Sequence, residues 1–164
     1  IGMDFSDQIY FNPPMLNVTW VAGDVTEPPF PPSTFDMIYS HGVLHHTANT
    51  REAFHAVAPL VKPGGTFSVF IYPLPKETGN PRWWQKYYDI RDKLFLGKGS
   101  KIPHKDLVPL LNTLFHDQAF LMFDNLTPPF QHRHPRAEVI SWFEEAGFSQ
   151  IESLWDGEYK GVRL

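Results

Sequence analysis

Residues 34–72, TFDMIYSHGVLHHTANTREAFHAVAPLVKPGGTFSVFIY, contain in turn the patterns of a strand, a helix and a second strand. Thr34–Ser40 is rich in β-forming residues, and Thr66–Tyr72 is an almost continuous apolar run typical of a buried strand. Between them, apolar spacing predicts a helix over Thr50–Val61, followed by a turn at Pro63–Gly65. Elements in this order predict a mostly parallel α/β sheet.

Strand patterns also precede this stretch. Ile1–Asp4 resembles the end of a buried strand, and Asn17–Ala22 alternates apolar with polar residues as a half-buried strand does. Residues 27–33 are rich in proline and predict a loop that leads into the next strand. The first half of the chain is therefore predicted to contain four strands.

Helical patterns dominate the second half of the chain. Apolar residues recur at helical spacing over about 82–96 and again over about 104–120. Pro135 begins a further predicted helix, which ends before Gly147. Two short predicted strands joined by an Asp-Gly turn complete the pattern: Ser149–Leu154 and Tyr159–Leu164.

Composition and charge exclude several classes of protein. The 164 residues include no cysteine, which excludes disulfide frameworks, cysteine-based zinc fingers, iron–sulfur clusters and thiol nucleophiles. The formal net charge of −4 gives no overall attraction to nucleic acid or to an anionic membrane. No apolar run reaches the length of a membrane span, and no signal-peptide pattern is found. We therefore expect a cytoplasmic protein that contacts no membrane.

Polar residues follow three of the predicted strands, at the point where each strand ends. They are Asp4, Asp24 and the stretch from Ser40 to His46. In open parallel sheets, ligands bind outside the carboxyl ends of the strands. A carboxylate there can accept hydrogen bonds from both hydroxyls of a ribose, and a second one can accept from the exocyclic amine of adenine. The alternative is that both aspartates only cap the turns that follow them.

Several segments of the sequence together resemble one enzyme family. The acidic end of IGMDFS, the Gly-Asp pair and GVLHH within residues 17–47, and the LVKPGG turn within residues 53–72 resemble class I S-adenosylmethionine-dependent methyltransferases. Residues 134–164, with EVISWFEEAGF and YKGVRL, resemble the last helix and closing antiparallel strands of that family. The resemblance implies a Rossmann-like α/β sheet and methyl transfer from S-adenosylmethionine to an acceptor.

The resemblance also implies a site for S-adenosylmethionine or its product S-adenosylhomocysteine. Asp4 would bind the ribose hydroxyls, and Phe5 would lie against the adenine. Asp24 would accept a hydrogen bond from the adenine amine, and the Val25 N–H would face a ring nitrogen. Three residues at the end of the Thr34–Ser40 strand would lie beneath the sulfonium: Ser40, His41 and Gly42.

One part of the family pattern has no counterpart in this sequence. The family's first strand and the glycine-rich loop after it are not found before Ile1–Asp4. We therefore expect an N-terminally truncated enzyme with two unpaired sheet edges and with weak or absent cofactor binding and activity. Either a partner chain fills the gap, as a second copy would in a homodimer, or the Asn17–Ala22 strand pairs directly with Thr34–Ser40.

His45 and His46 are the candidate catalytic residues. In methyl transfer the electrophile is already activated, so the protein mainly aligns it with the acceptor. A general base is needed only when the acceptor is an alcohol or a similarly protonated group, and either histidine could take that proton. Alternatively, one imidazole ties its strand to the next loop by a hydrogen bond. The eight histidines show no metal-ligand spacing, so no metal site is predicted.

The region before the final predicted helix is expected to bind the acceptor. We predict a methyltransferase core at 1–72 and 131–164 and a helical acceptor-binding insertion at 73–130. The helix over 82–96 combines aromatic residues with Lys and Arg, which suits a lid or a nucleic-acid stacking patch. The alternative is an amphipathic helix whose charged residues face solvent. The candidate acceptor contacts are Tyr72, Asp124, Gln131, His132 and His134.

Two other functions are compatible with the sequence. An acidic residue at the end of a second strand also binds the ribose of NAD in nicotinamide-dependent oxidoreductases. The final YKGVRL strand, however, favours the antiparallel hairpin of a methyltransferase over an all-parallel sheet. A non-catalytic, methyltransferase-like dimerisation module would account for the missing glycine-rich loop.

Overall fold

The structure is a computed structural model that describes residues 1–6, 17–95, 104–116 and 126–164. Within these ranges the strands are β1 (Gly2–Asp4), β2 (Trp20–Ala22), β3 (Phe35–His41), β4 (Val61–Phe70), β5 (Phe148–Trp155) and β6 (Glu158–Arg163). They lie in two sheets: β1 pairs with β2, and the larger sheet has the order β3, β4, β6, β5.

The directions of the strands agree with the predicted architecture. Pairing is parallel between β1 and β2 and between β3 and β4, whereas β6 is antiparallel to both β4 and β5. The predicted α/β fold with a closing antiparallel strand pair is therefore confirmed. The predicted strand Asn17–Ala22 is shorter than expected, because Asn17 has a φ of 72° and lies in a turn.

The helices with described bounds are α1 (Thr50–Val57), α2 (Pro81–Phe95), α3 (His104–Phe115) and α4 (Arg136–Glu145). The Asn49 side chain caps α1 by accepting hydrogen bonds from the N–H groups of Arg51 and Glu52. The predicted end of this helix at Val61 is wrong, because Ala58–Leu60 form a 3₁₀ turn and Val61 begins β4. No helix in the described part of the chain is long and apolar enough to cross a membrane.

The other predicted helices agree with the structure at their starts. α2 covers nearly all of 82–96, α3 begins at His104, and Pro135 is the N-cap of α4. Gly147 has a φ of 78°, which suits a residue that ends a helix. Residues 117–120 of the predicted 104–120 helix lie outside the described residues. The division into a core and an acceptor-binding insertion stays a prediction.

The predicted turn at Pro63–Gly65 is instead a bulge inside β4. Phe35 of β3 lies opposite Val61, and the next paired residue, Met37, lies opposite Thr66, so β4 contains extra residues between these two pairs. Gly65 approaches β3 closely: a Cβ at this position would be 2.7 Å from the carbonyl oxygen of Asp36. The bulge keeps β4 paired with β3 where a turn was expected, and it needs glycine at the closest approach.

The core lies between the larger sheet and helices α1 and α4. Phe54, Phe67 and Phe143 are fully buried, with ring centroids 4.9–5.7 Å apart. Such aromatic pairs each add about 0.5–1.5 kcal/mol beyond the burial of their area. Arg163 of β6 donates hydrogen bonds to the carbonyl oxygens of Pro59, at 2.6 Å, and of Val61. These contacts hold the start of β4, where Val61 lies opposite Phe35 at the start of β3.

The two sheets remain separate. β2 pairs with β1 and not with β3, so the predicted direct pairing of the Asn17–Ala22 and Thr34–Ser40 strands is wrong. The physical reason is that β1 offers β2 a parallel partner along its whole length, from Gly2 opposite Trp20 to Asp4 opposite Ala22. On the side away from β4, β3 has no strand partner among the described residues. Filling of the gap by a partner chain stays a prediction.

Candidate functional site

A groove of about 1130 Å³ lies between the two sheets and reaches the carboxyl ends of β1, β2 and β3. Of the ten large apolar side chains that are exposed in the described residues, six line this groove. These are Ile1, Phe5, Met37, Tyr39, Val43 and Phe130. Concentration of exposed apolar surface in one concave region is typical of a binding site.

Asp4 and Asp24 line the groove with the same local geometry. The Oδ1 atom of Asp4 accepts hydrogen bonds from the N–H and the hydroxyl of Ser6, both at 2.8 Å. The Oδ1 atom of Asp24 accepts from the N–H of Thr26 at 2.8 Å and from its hydroxyl at 2.7 Å. Within the described ranges, Oδ2 of neither carboxylate has a hydrogen-bond partner. One oxygen of each aspartate therefore caps a turn and the other can meet a ligand.

The electrostatics of Asp24 suit a ligand that donates hydrogen bonds. The backbone N–H of Thr26, and then its hydroxyl, hold the pKa of Asp24 below its ordinary value, so the carboxyl is ionised at neutral pH. An ionised carboxylate only accepts hydrogen bonds, which suits hydroxyl and amine groups. The N–H of Gly23 donates to the carbonyl oxygen of Asp4 at 3.0 Å and so joins the two strand ends.

The residues predicted at the end of β3 also lie in the groove. Ser40, His41 and Gly42 all line it, as do Phe5 and Val25. The His41 ring is stacked on Tyr39 and on Phe70, with centroid distances of 5.7 and 4.6 Å. Gly42 has a φ of 76°, and a Cβ built there would meet nothing within 4 Å. The structure thus brings all the predicted cofactor-binding residues to one groove.

His45 and His46 are adjacent in sequence but lie in different environments. His45 is fully buried, and its ring is stacked on Tyr72 with the centroids 3.9 Å apart. Burial, and to a smaller extent the charge of His46, lowers the pKa of His45 to about 3. His45 is therefore neutral at physiological pH. His46 lines the groove and His45 does not, which favours His46 as the base.

The His46 ring is held by a segment distant in sequence. Its Nδ1 donates a hydrogen bond to the carbonyl oxygen of Phe130 at 2.8 Å. In the neutral ring this leaves the lone pair on Nε2. The bond also ties the loop after β3 to another part of the chain, which is the tie that the alternative interpretation predicted for one of the two imidazoles. The role of His46 as a base stays a prediction.

The groove carries little charge. Apart from Asp4 and Asp24, the described residues that line it include no carboxylate and no Lys or Arg. No group of three or more His, Cys, Asp or Glu side chains in the described residues is arranged to hold a metal ion. This charge balance favours a cationic or neutral ligand over an anionic one.

Comparison with known sequences agrees with this geometry. Residues 2–69 match the sequence model of a protein family described as "Methyltransferase domain". The matched stretch covers less than half of the 164 residues of this chain. Uncharacterized methyltransferases of Mycobacterium tuberculosis H37Rv and Mycobacterium bovis are each 34% identical to it over 58 residues, which are 35% of this chain and 29% of each relative. The matched part is thus less than a third of the length of those relatives.

Solved structures resemble this chain over most of its length. A chain in the complex between the Haloferax volcanii Trm112 methyltransferase activator and a methyltransferase aligns with a TM-score of 0.59 and 16% identity, covering 98% of this chain and 70% of that one. A SAM-dependent methyltransferase of Thermotoga maritima aligns with a TM-score of 0.58 and 12% identity, covering 90% and 64%. At such identities the likeness shows the fold, and the predicted resemblance to class I methyltransferases is confirmed.

The acceptor candidates that the structure describes lie beside the groove. None of Tyr72, Gln131, His132 and His134 lines it. The N–H of His132 donates to the carbonyl oxygen of His45, and the N–H of His134 donates to that of Tyr72, both at 2.9 Å. These bonds join the segment 126–134 to the 3₁₀ turn that contains His45 and to Tyr72, which follows β4. The acceptor-binding role of the four residues stays a prediction.

Sequence reasoning missed the residues of this segment that do line the groove, Pro129 and Phe130. The available signal was the Pro128–Pro129 pair, which stiffens a polar segment and presents the residue after it. Asp124, the remaining acceptor candidate, lies outside the described residues. Sequence reasoning also missed Met37 and Tyr39, which line the groove. The available signal was that β3 has large apolar residues on both of its faces, which indicates that each face contacts another part of the protein or a ligand.

Proposed function

We propose that this chain is part of a methyltransferase, which binds the nucleoside of S-adenosylmethionine at Asp4 and Asp24 and transfers the methyl group to an acceptor beside His46. One observation carries the proposal: two carboxylates at the ends of adjacent parallel strands line one groove. Each of them accepts a hydrogen bond from the N–H two residues later, so the two turns have the same geometry. Ligands of open α/β sheets bind at this end of the strands.

The groove-lining residues fit the nucleoside of that cofactor. The Oδ2 atom of Asp4 would accept from the ribose hydroxyls, and that of Asp24 from the adenine amine, with the Val25 N–H toward a ring nitrogen. Phe5, 80% exposed, offers a face for the adenine ring. The groove volume of about 1130 Å³ slightly exceeds that of common small-molecule pockets, which leaves space for an acceptor.

S-adenosylmethionine, when bound, supplies a methyl group that is already activated on a sulfonium. The contribution of the chain is to hold and orient the reactants. Ser40, His41 and Gly42 would lie beneath the sulfonium, in a groove whose described lining has no Lys or Arg to repel a cation. The open backbone at Gly42 leaves room for a close approach.

His46 would handle the acceptor proton. With Nδ1 donating to Phe130, Nε2 is the nitrogen that accepts a proton from an acceptor hydroxyl. An amine acceptor with a free lone pair needs no base. Loss of His46 would therefore affect hydroxyl acceptors more than amine acceptors. The remaining acceptor candidates would contribute by keeping the 126–134 segment in place beside the acceptor. These are Tyr72, Gln131, His132 and His134.

The experiment is an NMR titration of the chain with S-adenosylhomocysteine, which detects binding even when it is weak. We expect the largest shift changes at the amides of residues 4–6 and 24–26. Asp4→Asn and Asp24→Asn should each raise the dissociation constant about 10-fold, since a hydrogen bond to a charged group contributes about 1.5–3 kcal/mol. Asp36→Asn is the matched control, because Asp36 lies at the other end of β3 and pairs with Lys62 at 2.8 Å.

Two results would contradict the proposal. The first is the absence of shift changes at these amides at saturating concentrations of S-adenosylhomocysteine. The second is equal affinity of the wild-type chain and both groove variants. Binding of NAD without binding of S-adenosylhomocysteine would instead favour the oxidoreductase alternative.

A further inference from the structure

Helix α2 contains a buried arginine that does not follow the expected amphipathic pattern. Arg91 is only 2% exposed, whereas an amphipathic helix was expected to keep its charged residues in solvent. Its Nη2 donates to the carbonyl oxygen of Pro128 at 2.7 Å, and its Nη1 lies 3.5 Å from Asp92. Burial of a guanidinium is costly unless it is hydrogen-bonded, so this side chain is committed to the Pro128 carbonyl.

The same helix holds the 126–134 segment at a second point. The guanidinium of Arg133 lies over the ring of Tyr88, 3.8 Å from its centroid, and contacts the Asp92 carboxylate at 3.2 Å. Tyr88 is itself fully buried, so its ring is a fixed surface. Helix α2 therefore contacts the segment on both sides of Phe130. Arg91 binds the Pro128 carbonyl before it, and Tyr88 and Asp92 contact Arg133 after it.

The short backbone segment from Pro128, which Arg91 contacts, to Phe130, which lines the groove, is stiff. Pro128 and Pro129 both have φ fixed by their rings, and the residue before each proline is restricted as well. A hydrogen bond at the Pro128 carbonyl is therefore transmitted to the position of Phe130. The Phe130 carbonyl oxygen in turn accepts the hydrogen bond from Nδ1 of His46 at 2.8 Å.

We propose that Arg91 is a positioning residue for the groove. By holding the Pro128 carbonyl, it keeps the Phe130 carbonyl against His46, and so keeps the His46 ring in the tautomer with hydrogen on Nδ1 and the lone pair on Nε2. The inference deepens the proposed function and its catalytic meaning rests on it, because that tautomer is the one able to take a proton from an acceptor. It assigns to α2 a part in setting the base, beyond that of a lid or a solvated surface helix.

The experiment measures the ¹⁵N shifts of the His46 ring nitrogens at a pH where the imidazole is neutral. In the wild-type chain, we expect Nδ1 to give the shift of a protonated nitrogen and Nε2 that of an unprotonated one. Arg91→Met should move the ring toward the Nε2–H tautomer, which is the major form of a free imidazole side chain. Arg91→Lys should restore part of the wild-type ratio, since one ammonium can still reach a carbonyl.

Two further variants make the test specific. Pro129→Ala loosens the stiff link while leaving Arg91 in place, and should produce the same tautomer change; Pro129 is exposed, so the fold should tolerate it. Arg82→Met is the matched control, because it removes an exposed arginine from the same helix and should leave the His46 shifts unchanged. If Arg91→Met does not fold, Pro129→Ala decides the matter, because it is expected to change the tautomer while Arg91 stays in place.

A wild-type tautomer ratio in every folded Arg91 and Pro129 variant would overturn the proposal. A change of equal size in Arg82→Met would also overturn it. The measurement uses the ligand-free chain, so it is separate from the S-adenosylhomocysteine titration. Failure of that titration would remove the cofactor site, whereas an unchanged His46 ring would remove only the role of Arg91.

Discussion

Gly161 of β6 lies directly against the ring of Phe143 on α4: a Cβ at position 161 would be 2.8 Å from Cδ1 and 3.1 Å from Cε1 of that ring. Phe143 is fully buried among other aromatic rings and has no space to retreat. Gly161→Ala is therefore expected to lower the free energy of unfolding by about 1–3 kcal/mol. Urea denaturation followed by circular dichroism measures this.

The control for that prediction is Gly79→Ala. The nearest atom to a Cβ at position 79 is Oδ2 of Asp156, at an ordinary contact distance of 3.6 Å. We expect this variant to stay within about 0.5 kcal/mol of the wild type, as most surface substitutions do. Equal destabilisation by both alanines would show that the contact with Phe143 is unimportant.

The free energy of unfolding should decrease as the pH is lowered, because His45 is buried in its neutral form. The pKa of His45 is about 3 in the folded chain and near 6.5 when unfolded, so below pH 6.5 the unfolded state binds the extra proton. The stabilising effect of neutral pH is thus lost progressively as pH falls toward 3. The slope is at most about 1.4 kcal/mol per pH unit. Urea denaturation at a series of pH values measures it.

The window that separates His45 from the carboxyls with lowered pKa values lies between pH 6.5 and 4.5, above the ordinary pKa values of Asp24, Asp36 and Glu145. Those carboxyls have lowered pKa values, so they lose their stabilising effect only in stronger acid. His45→Phe should flatten the pH dependence within the window, and His41→Asn, at an exposed position, should not. An unchanged slope in His45→Phe would rule out the assignment.

Helix α1 depends on its cap. Asn49 accepts hydrogen bonds from the N–H groups of Arg51, at 3.1 Å, and Glu52, at 3.3 Å. Asn49→Ala should reduce the free energy of unfolding by about 1 kcal/mol, whereas Asn49→Asp should keep most of it, because aspartate is an equally good cap. Thermal denaturation of the two variants side by side tests this, and identical losses would argue against capping.

The groove is expected to be the main apolar surface of the chain for a probe dye. Met37 is 57% exposed and lines the groove, while Val108 on α3 is 44% exposed and lies elsewhere. Met37→Lys should reduce the fluorescence of bound anilinonaphthalene sulfonate clearly more than Val108→Lys does, since each adds the same charge. The reverse order would place the principal apolar surface outside the groove.

The order of strands and helices could be predicted because local patterns and the family resemblance agree over most of the chain. The bulge at Pro63–Gly65 could not, since Pro-Gly-Gly is a strong turn signal and only pairing with β3 overrides it. The pairing of β2 with β1, rather than with β3, also depends on contacts between distant segments.

The candidate site was predictable where it follows strand ends, as at Asp4 and Asp24. His45 and His46 could not be separated, because one residue of a 3₁₀ turn points into the core and the next toward the groove, which sequence spacing does not reveal. The burial of Arg91 could not be predicted, since a charged residue on a helix is usually exposed. Its burial depends on a carbonyl that is 37 residues away.

The position of β6 between β4 and β5 has a consequence for synthesis on the ribosome. Thr66 of β4 pairs with Val162, so β4 is made long before its antiparallel neighbour exists. At about 5–20 residues per second, the nascent chain waits roughly 5–20 seconds with that strand edge uncovered. Closing so long a loop is also entropically costly. A chaperone that binds extended apolar segments would therefore find this edge of β4 open until the last hairpin emerges.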